Sequence, residues 1–197
     1  MKNFEKELPE GYREVYHINA LEAKVGLIMN LIAGVIIIGL IILGLIPIFI
    51  GAMPFDISDT GYLIALMALI PGMIIYMVWH ELMHGVAYKL LTGEKLTFGM
   101  SWSCAYCGVP NIYVYRRASL ISLLTPFVVC GVLLTAATVI LAFVNVYAYL
   151  ALLILTASHF GGCVGDLWIT FLFLFKFKDR SILMRDTGPE QTFYLKD

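Results

Sequence analysis

From residue 25 to about residue 50 the chain is apolar at every position except Asn30. That is about 25 residues, against the roughly 20 a helix needs to cross the hydrocarbon core of a bilayer. Three comparable runs follow, at about 61–91, 118–144 and 148–175. Lipid offers no hydrogen bonds to a backbone, so runs of this kind fold as spanning helices that satisfy their own N–H and C=O groups. Composition agrees: 60% of the 197 residues are hydrophobic and 14% charged, with a mean hydropathy of +0.87, outside the range of soluble domains. The sequence therefore predicts an all-α membrane protein of about four transmembrane helices.

The pattern changes once, between the second and third spans. Leu96, Phe98, Met100, Trp102, Cys104 and Tyr106 alternate with Thr97, Gly99, Ser101, Ser103 and Ala105, the two-residue period of a strand. Gly108-Val109-Pro110-Asn111 reads as a turn, and Ile112-Tyr113-Val114-Tyr115 are all β-formers. A small β-hairpin at the membrane face is expected here. Residues 1–24 form an arm of mixed charge, expected to be short and partly helical, in which His17 reads as a surface residue. Residues 25–175 form the transmembrane domain and residues 176–197 a basic tail. Pro71 and Pro126 are expected to kink their helices. The polar, charged first 25 residues carry no cleavable signal pattern, and Lys2 stands where a myristoylated Gly would be.

Orientation follows from the basic residues. The connectors 51–60 and 145–147 hold no Lys or Arg, whereas Lys89, Lys95, Arg116 and Arg117 flank the hairpin, and Lys176, Lys178, Arg180, Arg185 and Lys196 lie in the tail. The positive-inside rule puts both termini and the hairpin in the cytoplasm, in a multi-pass protein of the cell membrane. No basic tract marks a nucleic-acid partner. Cys104 and Cys107 make a lone C-x-x-C, while Cys130 and Cys163 are isolated, so reduced thiols are expected rather than a disulfide framework.

The chemistry lies near the end of the second span, at His80-Glu81-Leu82-Met83-His84. On a helix the two imidazoles stand four residues apart on one face and can share a metal. Ionisable residues inside an apolar segment are functional candidates by default. Zn²⁺ takes imidazole nitrogen readily, and Glu81, beside the first His, can act as general base on a zinc-bound water. A third ligand is needed. Leu90 stands where the metzincin pattern has its last His, and Glu94 follows a Thr-Gly break too closely for the gluzincin pattern. Asp166 is the better candidate. His80 and Asp166 each lie about 27–29 Å of helix from the outer ends of their spans, hence at similar depth. Coordination would remove the penalty of an isolated carboxylate there, although Asp166 also suits a helix N-cap after the Gly-rich break. His159, seven residues earlier, is a further candidate, either beside the metal site or as a polar residue of the bundle interior.

These residues resemble the site-2-type intramembrane zinc metalloproteases. The chain is also similar to the bacterial family described as putative zincin peptidases. That likeness rests on His80-Glu81-x-x-His84-Gly85, Phe98-Gly99, Ala105-Tyr106-Cys107, Pro126-Phe127 and Gly165-Asp166, and covers most of residues 75–170. The resemblance to the site-2 type implies His80, His84 and Asp166 as zinc ligands, Glu81 as base, and a strand near the site that receives unfolded substrate. The chain departs from the site-2 type in lacking Asn-Pro before the late Asp, and Asp166 is followed by Leu167 rather than Gly.

Three readings of the polar cluster stay open on sequence alone. The first is a membrane-embedded zinc metallopeptidase acting on a membrane or membrane-proximal protein. The second is a noncatalytic chaperone or regulatory protein that uses the metal structurally. The third is a metal-dependent hydrolase of a lipid or small molecule. An exposed strand edge favours the first, because a peptide can be bound there by β-augmentation.

Overall fold

The structure, a computed structural model, describes residues 2–56, 60–101 and 105–197. Among the described residues, four helices are long and apolar enough to cross a membrane. They are α1 (Ala23–Phe49), α2 (Thr60–Thr92), α3 (Arg116–Ala142) and a last span, Val146–Lys176, which is broken. In that span α4 (Val146–Gly162) ends at Cys163, α5 (Val164–Phe171) restarts, and Leu172–Lys176 continues as a π-helical turn. The strands are β1 (Phe4–Glu5), β2 (Tyr12–Asn19), β3 (Thr97–Met100), β4 (Ala105–Gly108), β5 (Tyr113–Tyr115), β6 (Leu183–Asp186) and β7 (Glu190–Lys196). The chain forms two compact units.

In one unit, residues 30–78 and 127–164, the described regular elements are all helices. Glycine sets its close contacts. A Cβ on Gly161 would run into Ile37 and the Ala33 carbonyl, and one on Gly44 into the Leu153 side chain. Small residues at helix crossings are how membrane helices approach without a hydrophobic driving force. The Thr138 and Thr156 hydroxyls add a buried hydrogen bond between α3 and α4 at 2.7 Å. Asn145 caps α4, accepting from the Tyr147 and Ala148 N–H groups. Along its whole length α1 buries no residue and is apolar all round, as a lipid-facing helix is.

The other unit, residues 1–29, 79–126 and 165–197, carries both sheets. A five-stranded antiparallel sheet runs in the order β1-β5-β6-β7-β2, so both ends of the chain join one sheet. Its inner face meets α3 and α5 in a cluster of Leu123, Ile169, Leu172, Phe173, Phe177, Ile182, Met184 and Phe193. A second cluster, Tyr88, Val109, Ile112, Val114 and Ala118, locks the end of α2 to β5. The two-stranded sheet pairs Thr97 with Gly108 and Met100 with Ala105.

The helical expectation holds in part: the four long helices are present, and the β content exceeds one hairpin. The arm expected to be partly helical forms β1 and β2, and the tail forms β6 and β7. Nonlocal pairing accounts for this, since Tyr12 sits opposite Lys196 and no local pattern encodes such a partner. The hairpin is made by β3 and β4 rather than ending at β5, which belongs to the larger sheet. Trp102, Ser103 and Cys104 of the alternating stretch lie outside the described residues.

Candidate metal centre

The end of α2 presents His80, His84 and Tyr88, four residues apart on one face. All three are buried, and the imidazole centroids of His80 and His84 lie 5.1 Å apart. Asp166 is in the first turn of α5, where the N-terminal end of the helix favours a carboxylate. It is thus inside the restarted helix rather than capping it. Asp166 Oδ2 lies 3.4 Å from Nε2 of His80 and 3.4 Å from Nε2 of His84.

That spacing tests whether a metal fits. A charge-assisted N–H···O bond is typically about 2.7–2.9 Å, shorter than either contact. Ligands on a tetrahedron with bonds of about 2.1 Å, the length of Zn–N and Zn–O bonds, stand about 3.4 Å apart. The three donor atoms lie within 4.8 Å of one another, and two imidazoles with one carboxylate are a donor set that zinc accepts. The residues present fit the ion.

Around this trio the helices supply orientation. His84 Nδ1 is 2.9 Å from the Ser122 carbonyl on α3. A carbonyl can only accept, so Nδ1 carries the proton and the Nε2 lone pair is left for a metal. Glu81 is half-buried and three positions before His84, a neighbouring position on the helix surface, while it points away from the face of His80. Gly85 follows His84 directly. A Cβ there would strike Phe98 and Leu96, so glycine lets the β3 segment lie against α2 beside the histidines.

Asp186 was not singled out in the sequence. It is 3% exposed on β6 and accepts from Tyr88 Oη–H at 2.6 Å, the Gly188 N–H at 2.9 Å and the Gln191 amide at 3.3 Å. Burial raises its pKa above the usual carboxylate value, and these donors oppose that rise. The bond ties the end of α2 to the sheet. Tyr88→Phe should lower stability by about 1.5–3 kcal/mol, the scale of a hydrogen bond to a charged group. With the donor gone, the folded pKa of Asp186 moves further above its unfolded value. The deficit is therefore present at neutral pH and shrinks as acid protonates the carboxyl. Unfolding of both proteins in detergent across pH checks this, and equal stability at neutral pH contradicts it. Nearby, burial pushes the Cys107 thiol up to about 12, with the Asp186 charge adding to it, so Cys107 is a protonated thiol at neutral pH.

His159 is fully buried in the helical unit, with Nδ1 2.7 Å from Tyr76 Oη and Nε2 3.4 Å from the Phe127 carbonyl. Cys163 Sγ is 3.7 Å from the same Nδ1. Glu94 pairs with Lys6 at 3.5 Å, and His17 meets the Thr192 hydroxyl at 3.0 Å on an exposed strand.

A family model described as putative zincin peptidase matches residues 73–181, which takes in α2 from Met73, the β3–β5 segment, α3, α4 and α5. No curated protein and no solved structure matches the chain.

Proposed function

The chain belongs to the putative zincin peptidase family, and on that premise we propose that it is a membrane-embedded zinc metallopeptidase acting on a membrane or membrane-proximal protein. The observation that carries this reading is the placement of two imidazole Nε2 atoms at 3.4 Å from Asp166 Oδ2, with Glu81 between the histidines in the helix. His80, His84 and Asp166 would hold the zinc, and three protein ligands leave room for a water. When bound, zinc would polarise the scissile carbonyl and acidify that water. Glu81 takes the water proton as its oxygen adds to the carbonyl carbon. Glu81 then passes the proton to the amide nitrogen as the C–N bond breaks, leaving a carboxylate and an amine.

The strand pattern supports a peptide rather than a lipid or small molecule as substrate. Among the described residues β3 pairs only with β4, which leaves its other edge for an extended peptide. Phe98 and Met100 are exposed along it, and Gly85 brings the strand against α2. The lipid bilayer is the other partner. The Lys and Arg asymmetry supports a cell-membrane protein with both termini and the active-site side in the cytoplasm.

One experiment tests activity and orientation together. In inside-out vesicles, a membrane-impermeant chelator should abolish cleavage of a single-pass substrate, and added zinc should restore it. In right-side-out vesicles the same chelator should have no effect. Cleavage insensitive to chelator on both faces, or no cleavage of any membrane substrate by zinc-loaded protein, sinks the reading.

A further inference from the structure

Within α3 each carbonyl looks four residues ahead for its N–H partner. For Ser122 that partner is residue 126, a proline, which has no N–H to give. The Ser122 carbonyl is therefore freed by the sequence itself, deep in a helix that continues unbroken from Arg116 to Ala142. A freed carbonyl in an apolar surrounding must find another donor. Here the donor is His84 Nδ1–H, at 2.9 Å and buried.

We propose that Pro126 is a positioning residue of the metal centre: by withholding an N–H from α3 it makes the Ser122 carbonyl hold His84 in the tautomer that presents Nε2 to zinc. A neutral imidazole has one N–H. Were it on Nε2, the Nδ1 lone pair would face the carbonyl oxygen, acceptor against acceptor. With the proton on Nδ1, the carbonyl is satisfied and the Nε2 lone pair faces the position shared with Asp166 Oδ2, 3.4 Å away. The carbonyl also fixes the ring plane, as outer-shell acceptors of ligating histidines do. Ser122 and Pro126 are both buried, so the freed carbonyl turns to a protein donor. The kink expected at Pro126 thus has a second consequence, a main-chain acceptor aimed at a side chain of another helix.

This inference rests on the zinc reading but is measured without turnover, so a protein that binds zinc and cleaves nothing would sink the peptidase reading alone. Pro126→Ala supplies an N–H within reach of the Ser122 carbonyl, which then competes with His84. Zinc affinity, measured by competition with a chromophoric chelator, should fall by about 10–100-fold, the usual effect of losing an outer-shell partner. Thr125→Ala is the control. Its Oγ1 bonds the Ile121 carbonyl in the same turn, at 2.7 Å, so the substitution changes a neighbouring side chain and supplies no backbone N–H to Ser122; its affinity should stay at the wild-type value. Unchanged affinity in Pro126→Ala, or an equal loss in Thr125→Ala, overturns the proposal. A second measurement needs no proline variant. In metal-free wild-type protein with ¹⁵N-labelled histidine, at a pH alkaline enough that the ring is neutral, the His84 resonances, identified by their loss in His84→Ala, should report the proton on Nδ1. A proton on Nε2 overturns the proposal as well.

Discussion

His84→Ala should strip the purified protein of zinc, from about one ion per chain, the stoichiometry of a single three-ligand site, to background. The substitution removes one of two imidazoles and also the bond from Nδ1 to the Ser122 carbonyl. Asp166 Oδ2 then keeps only the His80 ring of the pair it lies against. Losing a ligand should exceed the roughly 10–100-fold effect of losing an outer-shell partner. Zinc binds the folded state, so at about 100 times its Kd it should stabilise the wild type by about 2.7 kcal/mol. The unfolding temperature of wild-type protein should rise with zinc, and that of His84→Ala should not. His159→Ala is the informative comparison. Both ring nitrogens of His159 face protein groups, Tyr76 Oη and the Phe127 carbonyl, so this variant should keep its zinc. Wild-type zinc content in His84→Ala would overturn the ligand assignment.

The parts of this site differ in how plainly the sequence carries them, and range of interaction explains the difference. His80 and His84 are joined by helix geometry alone, so a spacing of four places them on one face without any tertiary knowledge. Asp166 needs one further step, a shared depth in two spans, which follows from rise per residue because the bilayer fixes where helices begin and end. The break at Cys163 and the restart at Val164 refine that step and leave Asp166 in a first turn. The Ser122 carbonyl was beyond reach, since every residue has one and only the fold decides which carbonyl meets His84. Pro126 was visible as a kink and carried the clue that a carbonyl four residues back lacks its partner.

The sheet shows the same division. The alternation around Phe98 and Tyr106 marked β structure, but a period of two does not say where a run folds back on itself. The glycines decide more. Tyr106 fits only because Gly99 and Gly188 carry no Cβ, and Gly188 sits at φ +105° in the turn between β6 and β7. Asp186-Thr187-Gly188-Pro189 is a turn signal between two β-forming stretches, and it could have revealed the C-terminal hairpin and with it Asp186. The pairing of Phe4 with Val114 and of Tyr12 with Lys196 had no local signal at all.

Glu81→Gln should separate holding a metal from using it. Glu81 is not among the three residues whose donor atoms converge, and glutamine keeps its size and hydrogen-bonding reach while removing the base. Zinc content should therefore stay at the wild-type value. Cleavage should fall by ~10²-fold or more, the usual scale for loss of a general acid–base group. The loss should appear in kcat, because a base acts in the transition state and not in substrate binding. A metal used only for structure would be indifferent to this change, and so would a regulatory protein that never hydrolyses its partner. The measurement is single-pass substrate cleavage with zinc assayed on the same preparations, beside His84→Ala, which should lose both. If Glu81→Gln retains zinc and cleaves at the wild-type rate, Glu81 is not the base and the hydrolytic mechanism drawn from this helix is wrong.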